Sequence, residues 1–408
     1  MRQADAPSIE KNTLSTVLVT WELGGGLGHL VRLLPLVQSL RENGHQVVAA
    51  LRDLSRAEAV YRGLQVSYLQ APIKTSKAGR AFDSMRTLAH ILSNCGFGDD
   101  DELRGMVQAW RNLITQVRPD LILFDHGPTA LLASRGLQMR RVVIGTGFCC
   151  PPDTTPVPDL RPWLPDAAAQ FRQDEQNVLR RANRVLDSLG VAPLERLTKL
   201  YHPVDETFLA TFRELDQYPD RPPTRCWGAW PNSGGMAPEW PGGAGKRIYA
   251  YLKPFPARDR LLALLDKLRL PTLVYLEPVQ PKLPQKYQSK KLRFVQRRLD
   301  LTCVGRECDL AILNGGHGVT ASMLLAGVLI LQLPIYVEQA MTGVATRRLG
   351  AGRSARIDRP NEIAAKLTDL IQSDKYARAA GEFSARYRDF DPKQQVERIT
   401  QHLEELLR

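Results

Sequence analysis

Three observations predict an α/β protein built from two doubly wound halves. Twice along the chain a short apolar run of strand length meets a glycine-rich turn and then a helical pattern. Residues 16–20 lead into Gly24-Gly25-Gly26-Leu27-Gly28-His29, and residues 310–313 lead into Asn314-Gly315-Gly316-His317-Gly318. Between them, residues 231–246 (PNSGGMAPEWPGGAGK) are dominated by glycine and proline and show no periodicity, the mark of a linker. The length of 408 residues exceeds one ordinary domain.

In the amino-terminal half the first strand ends at Trp21-Glu22-Leu23, and a helical pattern runs from the glycine loop to Glu42. Pro35 lies inside that pattern, where a missing N–H and a ring clash predict a kink or a delayed start. Asn43-Gly44 caps the helix, and strands follow at 46–51 and 65–69. A polar, basic loop at 71–80 precedes helical stretches at 82–93 and 101–117. Pro119 then introduces a strand at 121–124 that ends on Asp125-His126-Gly127-Pro128. A strand at 141–147 runs into Phe148, and the proline-rich tract 151–165 leads into a helix at 166–189. Ligands of open parallel sheets bind at the carboxyl ends of strands, so His29 and Asp125 are expected to converge; Asp125 also suits a helix N-cap. The first glycine loop fits neither the dinucleotide fingerprint nor a P-loop, since His29 replaces the third glycine and no Gly-Lys-Ser/Thr follows.

The second half repeats the alternation. Strands are expected at 248–253, 272–277, 292–296, 310–313 and 328–333, with helices at 257–268, 320–326, 339–349, 361–373, 376–387 and 394–407. A strand, a side-chain-free turn and a helix N-terminus make an anion site, because backbone N–H groups approach the anion and the helix dipole favours it. The expected domains are 1–230, a linker at 231–246, 247–385, and a closing helix at 386–408 that packs back on the first domain.

The stretch 309–352 resembles the donor-binding motif of the UDP-glycosyltransferase superfamily, His-Gly-Gly-x-Gly-Thr followed by Glu-Ala-Leu, Gly-x-Pro and Asp-Gln. Gly315, Gly316 and Gly318 hold the glycine pattern, Ala326-Gly327 and Leu333-Pro334 follow in order, and Glu338-Gln339 stands for Asp-Gln. Asn314 replaces the histidine, Val319 the hydroxyl residue, Ser322 the ribose-binding glutamate and Leu329 the proline. The first loop, ending in Gly28-His29, is similar to the family's acceptor-side loop, although Arg32 stands where members have proline. Residues 207–212, 214–216 and 226–230 resemble the strand, Glu-Leu-Asp turn and strand that end the family's first domain.

The resemblance implies the GT-B fold, two Rossmann-like doubly wound domains facing a cleft, and an inverting, metal-independent transfer of a sugar from a nucleoside diphosphate sugar to an acceptor hydroxyl. It implies His29 as general base oriented by Asp125, which is the role of the acid in any acid–histidine pair. On the donor side it implies Asn314, Gly315, Gly316, His317, Gly318, Val319, Thr320 and Ser322, with Glu338 and Gln339 on the sugar hydroxyls. On the acceptor side it implies Gly26, Gly28, Phe148 and Trp163. Lys253 is a further candidate for phosphate, or a strand-end surface residue, and Arg297 and Arg298 stand where the family contacts the base. The resemblance further implies a nucleoside diphosphate sugar of UDP type as co-substrate, with no other cofactor and no metal, and a small-molecule or lipid-linked acceptor. The altered motif leaves open a catalytically weak nucleotide-sugar binder, or a GT-B epimerase.

A net charge of +12 favours anionic partners, among them a nucleotide sugar or the anionic face of a membrane. The basic residues are dispersed, aromatics are 7%, and no nucleic-acid motif occurs, so nucleic acid is not expected. No apolar run reaches spanning length, and the first residues lack the pattern of a secretory leader. Cys95, Cys149, Cys150, Cys226, Cys303 and Cys308 have no metal-ligand spacing and are expected as reduced thiols, which points to the cytoplasm.

Overall fold

The computed structural model describes residues 14–77, 79, 81–230, 234–280, 282–287 and 290–408. Residues 1–13 of the stretch 1–19 on which the expectation of no leader rests, and positions 231–233 of the expected linker, lie outside the described residues.

The first half contains, in order, β1 (Thr16–Trp21), α1 (Gly28–Glu42), β2 (Gln46–Leu51), α2 (Leu54–Tyr61), β3 (Ser67–Gln70), α3 (Leu88–Leu92), α4 (Asp100–Val117), β4 (Leu121–Asp125), α5 (Pro128–Ala133), β5 (Arg140–Gly145), α6 (Ala168–Ser188) and β6 (Glu206–Leu209). The second contains β7 (Ile248–Leu252), α7 (Arg258–Leu268), β8 (Thr272–Leu276), β9 (Leu292–Val295), α8 (Leu301–Glu307), β10 (Leu310–Leu313), α9 (His317–Leu325), β11 (Leu329–Gln332), α10 (Val337–Arg348), β12 (Gly352–Ser354), α11 (Pro360–Gln372), α12 (Lys375–Arg386) and α13 (Pro392–Leu407).

Each half forms a parallel sheet, ordered β3-β2-β1-β4-β5-β6 and β12-β11-β10-β7-β8-β9. The two orders are the same doubly wound pattern, and the chain reverses direction across the sheet between β1 and β4 and between β7 and β10. Alternate strand residues face opposite layers: Val17, Val19, Leu121 and Leu123 enter one core, and Leu18, Ile122 and Phe124 the other. No described helix is long and apolar enough to cross a membrane.

Three expectations are corrected. Residues 82–87 are not helical: the Asn94 side chain accepts from the Phe82 N–H at 2.8 Å and donates to the Phe82 carbonyl at 2.9 Å, holding that segment as a loop. The helix starts only after Thr87, whose hydroxyl accepts from the His90 N–H. Second, Pro35 does not delay the start of α1, which begins at Gly28 and includes the proline, with Leu33, Leu36, Val37 and Leu40 all packed into the core. Third, 226–230 makes only a single bridge, Leu209 to Cys226; Gly228 has φ +75°, and the Phe390 ring occupies the place of a side chain there, so the chain turns away.

The two halves are held together by apolar and polar contacts. Phe212 packs against Phe383, Tyr387 and Phe390 with ring centroids 4.4–5.5 Å apart. The Tyr387 hydroxyl donates to Glu214 at 2.7 Å. After α12 the chain returns to the first half: Asp391 caps α13, Pro392 occupies its first turn, and Val396, Ile399 and Leu403 complete the core formed by β1, α1 and Trp227. Leu403→Ala should therefore lower stability by about 2–5 kcal/mol. A urea unfolding midpoint equal to wild type would show that α13 is only loosely applied.

Candidate active site

A cavity of about 260 Å³ opens between the halves, at the carboxyl ends of the strands that flank both reversals. Its amino-terminal wall is the loop after β1 and the start of α1, including Gly25, Gly26, Gly28, His29 and Arg32. Its carboxy-terminal wall carries Lys253, Asn314, Gly316, Gly318, Glu338 and Gln339.

His29 lies in the first turn of α1 and Asp125 at the end of the neighbouring β4, so strand pairing brings them together. The His29 Nδ1 is 3.0 Å from the Asp125 carboxylate, which is fully buried. The imidazole stacks on Trp21, with centroids 5.4 Å apart and planes inclined by 21°. Its Nε2 lies over Gly24, where a Cβ would come within 2.5 Å, and Gly24 has φ +85°; a side chain here would displace the ring. Burial would raise the Asp125 carboxyl, but the charges of Arg32 and then His29 outweigh it and hold it at about 2. Arg32 reaches the same carboxylate, with Nη2 at 3.0 and 3.1 Å from its two oxygens. Behind the pair, His126 is buried and driven down to about 3 by desolvation and by the charge of His29, so it is neutral. The Phe148 ring meets His126 edge-on at 5.7 Å.

On the opposite wall the glycines divide their work. Gly315 has φ +84°, and a Cβ there would lie 2.7 Å from the Gln339 carbonyl oxygen, so it serves the turn. Gly316 caps α9 with φ −63°, and a Cβ at Gly316 or Gly318 meets nothing within 4 Å. The helix N-terminus is therefore bare toward the cavity. Val319 and Glu338 also line it. Gln339 lines it too, while its side-chain oxygen accepts from the Ile335 and Tyr336 N–H groups and fixes the start of α10.

Asn314 and His317 line the cavity while their side chains also tie the fold together, whereas Thr320, Ser322, Phe148 and Trp163 do not line it. The Asn314 side chain accepts from the Lys253 N–H at 2.6 Å and donates to the Leu333 carbonyl at 2.8 Å, tying three strand ends together. His317 binds across the domain boundary, its Nε2 2.7 Å from the Thr211 hydroxyl, and burial first, then the charge of Arg32, lowers it to about 3. Thr320 accepts from Gln332, and the Ser322 hydroxyl donates to the Gly318 carbonyl at 2.9 Å; neither lines the cavity. Phe148 supports His126 from behind, and Trp163 is half exposed outside the cavity. Arg297 does not line it, whereas Arg298 does, 3.7 Å from Glu277, to which the Tyr251 hydroxyl also donates.

The sequence assigned no role to Arg32 or Glu22. The signal for Arg32 was its spacing, since residues three apart share a helix face. Lys253 reaches across the cleft, and a Cβ on Gly26 would stand 3.7 Å from its Nζ. Among the described residues no group of three or more His, Cys, Asp and Glu is placed to hold a metal. Glu22, fully buried, accepts from the Thr129 and Ala130 N–H groups at 3.1 and 2.6 Å, clamping the β1 loop to the start of α5 beside Asp125.

Burial raises Glu22 from 4.5 to about 8 against these two bonds. The folded protein thus holds a proton that the unfolded chain releases near 4.5, so stability should fall as pH rises from about 4.5 through 8. Glu22→Gln should flatten that decline. Equal slopes of unfolding midpoint against pH in variant and wild type would contradict it.

No family model matches the sequence, and no curated protein sequence matches it. Solved structures do match over nearly the whole chain. The glycotransferase of kitacinnamycin is 17% identical, covers 97% of this chain and 99% of its own, and superposes with a TM-score of 0.70. CalG4, the calicheamicin glycosyltransferase, is 15% identical over 97% of this chain and 98% of its own, TM-score 0.67. The Streptomyces sp. SF2575 glycosyltransferase SsfS6, complexed with thymidine diphosphate, is 17% identical over 95% and 99%, TM-score 0.64. At these identities the likeness is one of architecture, and together with the paired doubly wound sheets it establishes that the chain has the GT-B fold of these glycosyltransferases.

Proposed function

We propose that the protein is an inverting glycosyltransferase, moving a sugar from a nucleoside diphosphate sugar to the hydroxyl of an acceptor. One observation carries this: the His29–Asp125 pair and the bare N-terminus of α9 stand on opposite walls of one cavity. A single displacement at an anomeric carbon needs a base behind the nucleophile on one side and a stabilised leaving group on the other. His29 takes the acceptor proton while ionised Asp125 stabilises the imidazolium. The acceptor oxygen bonds to the anomeric carbon as its bond to the diphosphate breaks, and configuration inverts. The leaving charge is met by the backbone donors at Gly316–Gly318 and by Lys253, so the scheme calls for no metal.

Glu338, at the start of α10, lines the cavity, which supports a role on the sugar hydroxyls. The Ser322 hydroxyl is engaged inside its own helix, so no carboxylate holds the ribose from that position. Nucleotides of uridine and thymidine type are both compatible with this. Thymidine diphosphate is the ligand of the SsfS6 neighbour. A further solved structure of like fold, the spinosyn rhamnosyltransferase SpnG (16% identical, TM-score 0.61), is complexed with spinosyn aglycone, which supports a small-molecule acceptor here. All six cysteines are free thiols, in keeping with a cytoplasmic enzyme.

His29→Ala should lower turnover by about 10²–10⁴ while nucleotide affinity stays close to wild type. Transfer from a panel of nucleoside diphosphate sugars is the assay. Undiminished turnover in the variant would remove His29 as base, and wild-type binding without transfer from any donor would leave a binding protein. Gly316→Val fits the backbone and the space, yet sets a branched side chain over the α9 N-terminus. Calorimetry with UDP and with thymidine diphosphate should show affinity weakened roughly tenfold, about 1.4 kcal/mol. Unchanged affinity would place the diphosphate elsewhere.

A further inference from the structure

Arg32 forms a triangle with the two residues assigned to proton transfer. Its Nη2 lies 3.0 Å from Asp125 Oδ1, 3.1 Å from Oδ2 and 3.0 Å from His29 Nδ1, while that same Nδ1 lies 3.0 Å from Oδ2. An imidazole nitrogen in the ring plane either donates one hydrogen bond or accepts one. If Nδ1 carries a proton it serves Asp125, and the Arg32 hydrogen is directed against it. If Nδ1 is bare it accepts from Arg32, and its lone pair faces the carboxylate. One contact of the triangle is therefore unfavourable in either state. With its charge already matched by Arg32, Asp125 pulls less on a proton at Nδ1. Nη2 has two hydrogens, one for the carboxylate and one for the ring.

Arg32 is also poorly anchored outside this triangle. Its Nε–H is buried without an acceptor, its side chain is 14% exposed, and it lines the cavity together with Glu338 and Lys253. The backbone at Arg32 is fixed separately, its carbonyl accepting from the Trp230 indole N–H at 2.8 Å, so the side chain can turn without disturbing α1. A guanidinium with an unsatisfied donor at the edge of a cavity suits an entering anion with phosphate geometry.

We propose that Arg32 is a positioning residue that occupies the dyad in the empty cleft, donating to Nδ1 and to Asp125, and that the diphosphate of an entering nucleotide draws it away. Neutral His29 then carries its proton on Nε2 while the cleft is empty, the form that cannot accept a proton from an acceptor at that nitrogen. Once Arg32 leaves, Asp125 alone faces Nδ1, the proton settles there, and the Nε2 lone pair becomes available. The nucleotide thus completes the base. This rests on His29 as the general base, but its test needs no turnover.

The test uses the full-length protein with isotope-labelled histidine, and the probe is UDP. Ring nitrogen shifts of neutral His29 report which nitrogen bears the proton. In the wild type without nucleotide the proton should sit on Nε2, and in Arg32→Met it should move to Nδ1. Arg32→Gln provides a second neutral variant should the methionine disturb folding. Saturating UDP should bring the wild type to the Arg32→Met pattern. An identical tautomer in the wild type and a folded variant overturns the competition, and a wild-type ring that ignores bound UDP overturns the displacement. Transfer that fails with every donor while the tautomer shifts as described would defeat the transferase assignment and leave the role of Arg32 standing.

Discussion

The reversal of strand order at the middle of each parallel sheet is the constraint on which the cleft depends. Between β1 and β4, and again between β7 and β10, adjacent strands send their helices to opposite faces, and the loops at their carboxyl ends spread apart. Many of the polar groups at the cleft lie on those loops or at the helix starts that follow them. Asp125 ends β4, His29 opens α1 beyond β1, Lys253 follows β7, and Asn314 to Gly318 follow β10. Because the strands are buried on both sides, the loop ends inherit a rigid base.

The two halves meet through contacts that also set the site. His317 is neutral and bonded to Thr211 of the first half, which fixes α9 relative to the strand end of β6. Val337 and Met341 of α10 enter the core of the first half. The α10 start, with Glu338, is thereby held at the domain boundary and not only by its own sheet. The return of α13 to the first half closes the chain on itself through Val396, Ile399 and Leu403.

The two glycine turns solve different problems. Gly24 yields space to the His29 ring and Gly315 to the backbone of α10, each with a positive φ. Gly316 and Gly318 have ordinary backbone angles or open surroundings, and the missing side chain leaves room only for whatever occupies the cavity. Glycine conformation and glycine space are separate requirements, and only the second concerns a ligand.

The sequence alone determined the fold class, because strand-length apolar runs, glycine turns and helical periodicity repeat twice at local scale. It also determined that His29 and Asp125 would meet, since both sit at carboxyl ends of strands that a doubly wound sheet places side by side. It misjudged 82–87, where Asn94 twelve residues on captures the backbone, and Gly228, where a distant phenylalanine sets the turn. Tertiary structure decided which motif residues face the cavity: Thr320 and Ser322 share the motif of Gly316 and Gly318 but turn their hydroxyls to Gln332 and to the helix itself. It decided as well that Arg32, legible only as a departure from a pattern, would share the carboxylate of Asp125. Position along an element is encoded by neighbours in sequence, whereas the partner of a polar side chain depends on what the folded chain brings within about 3 Å of it.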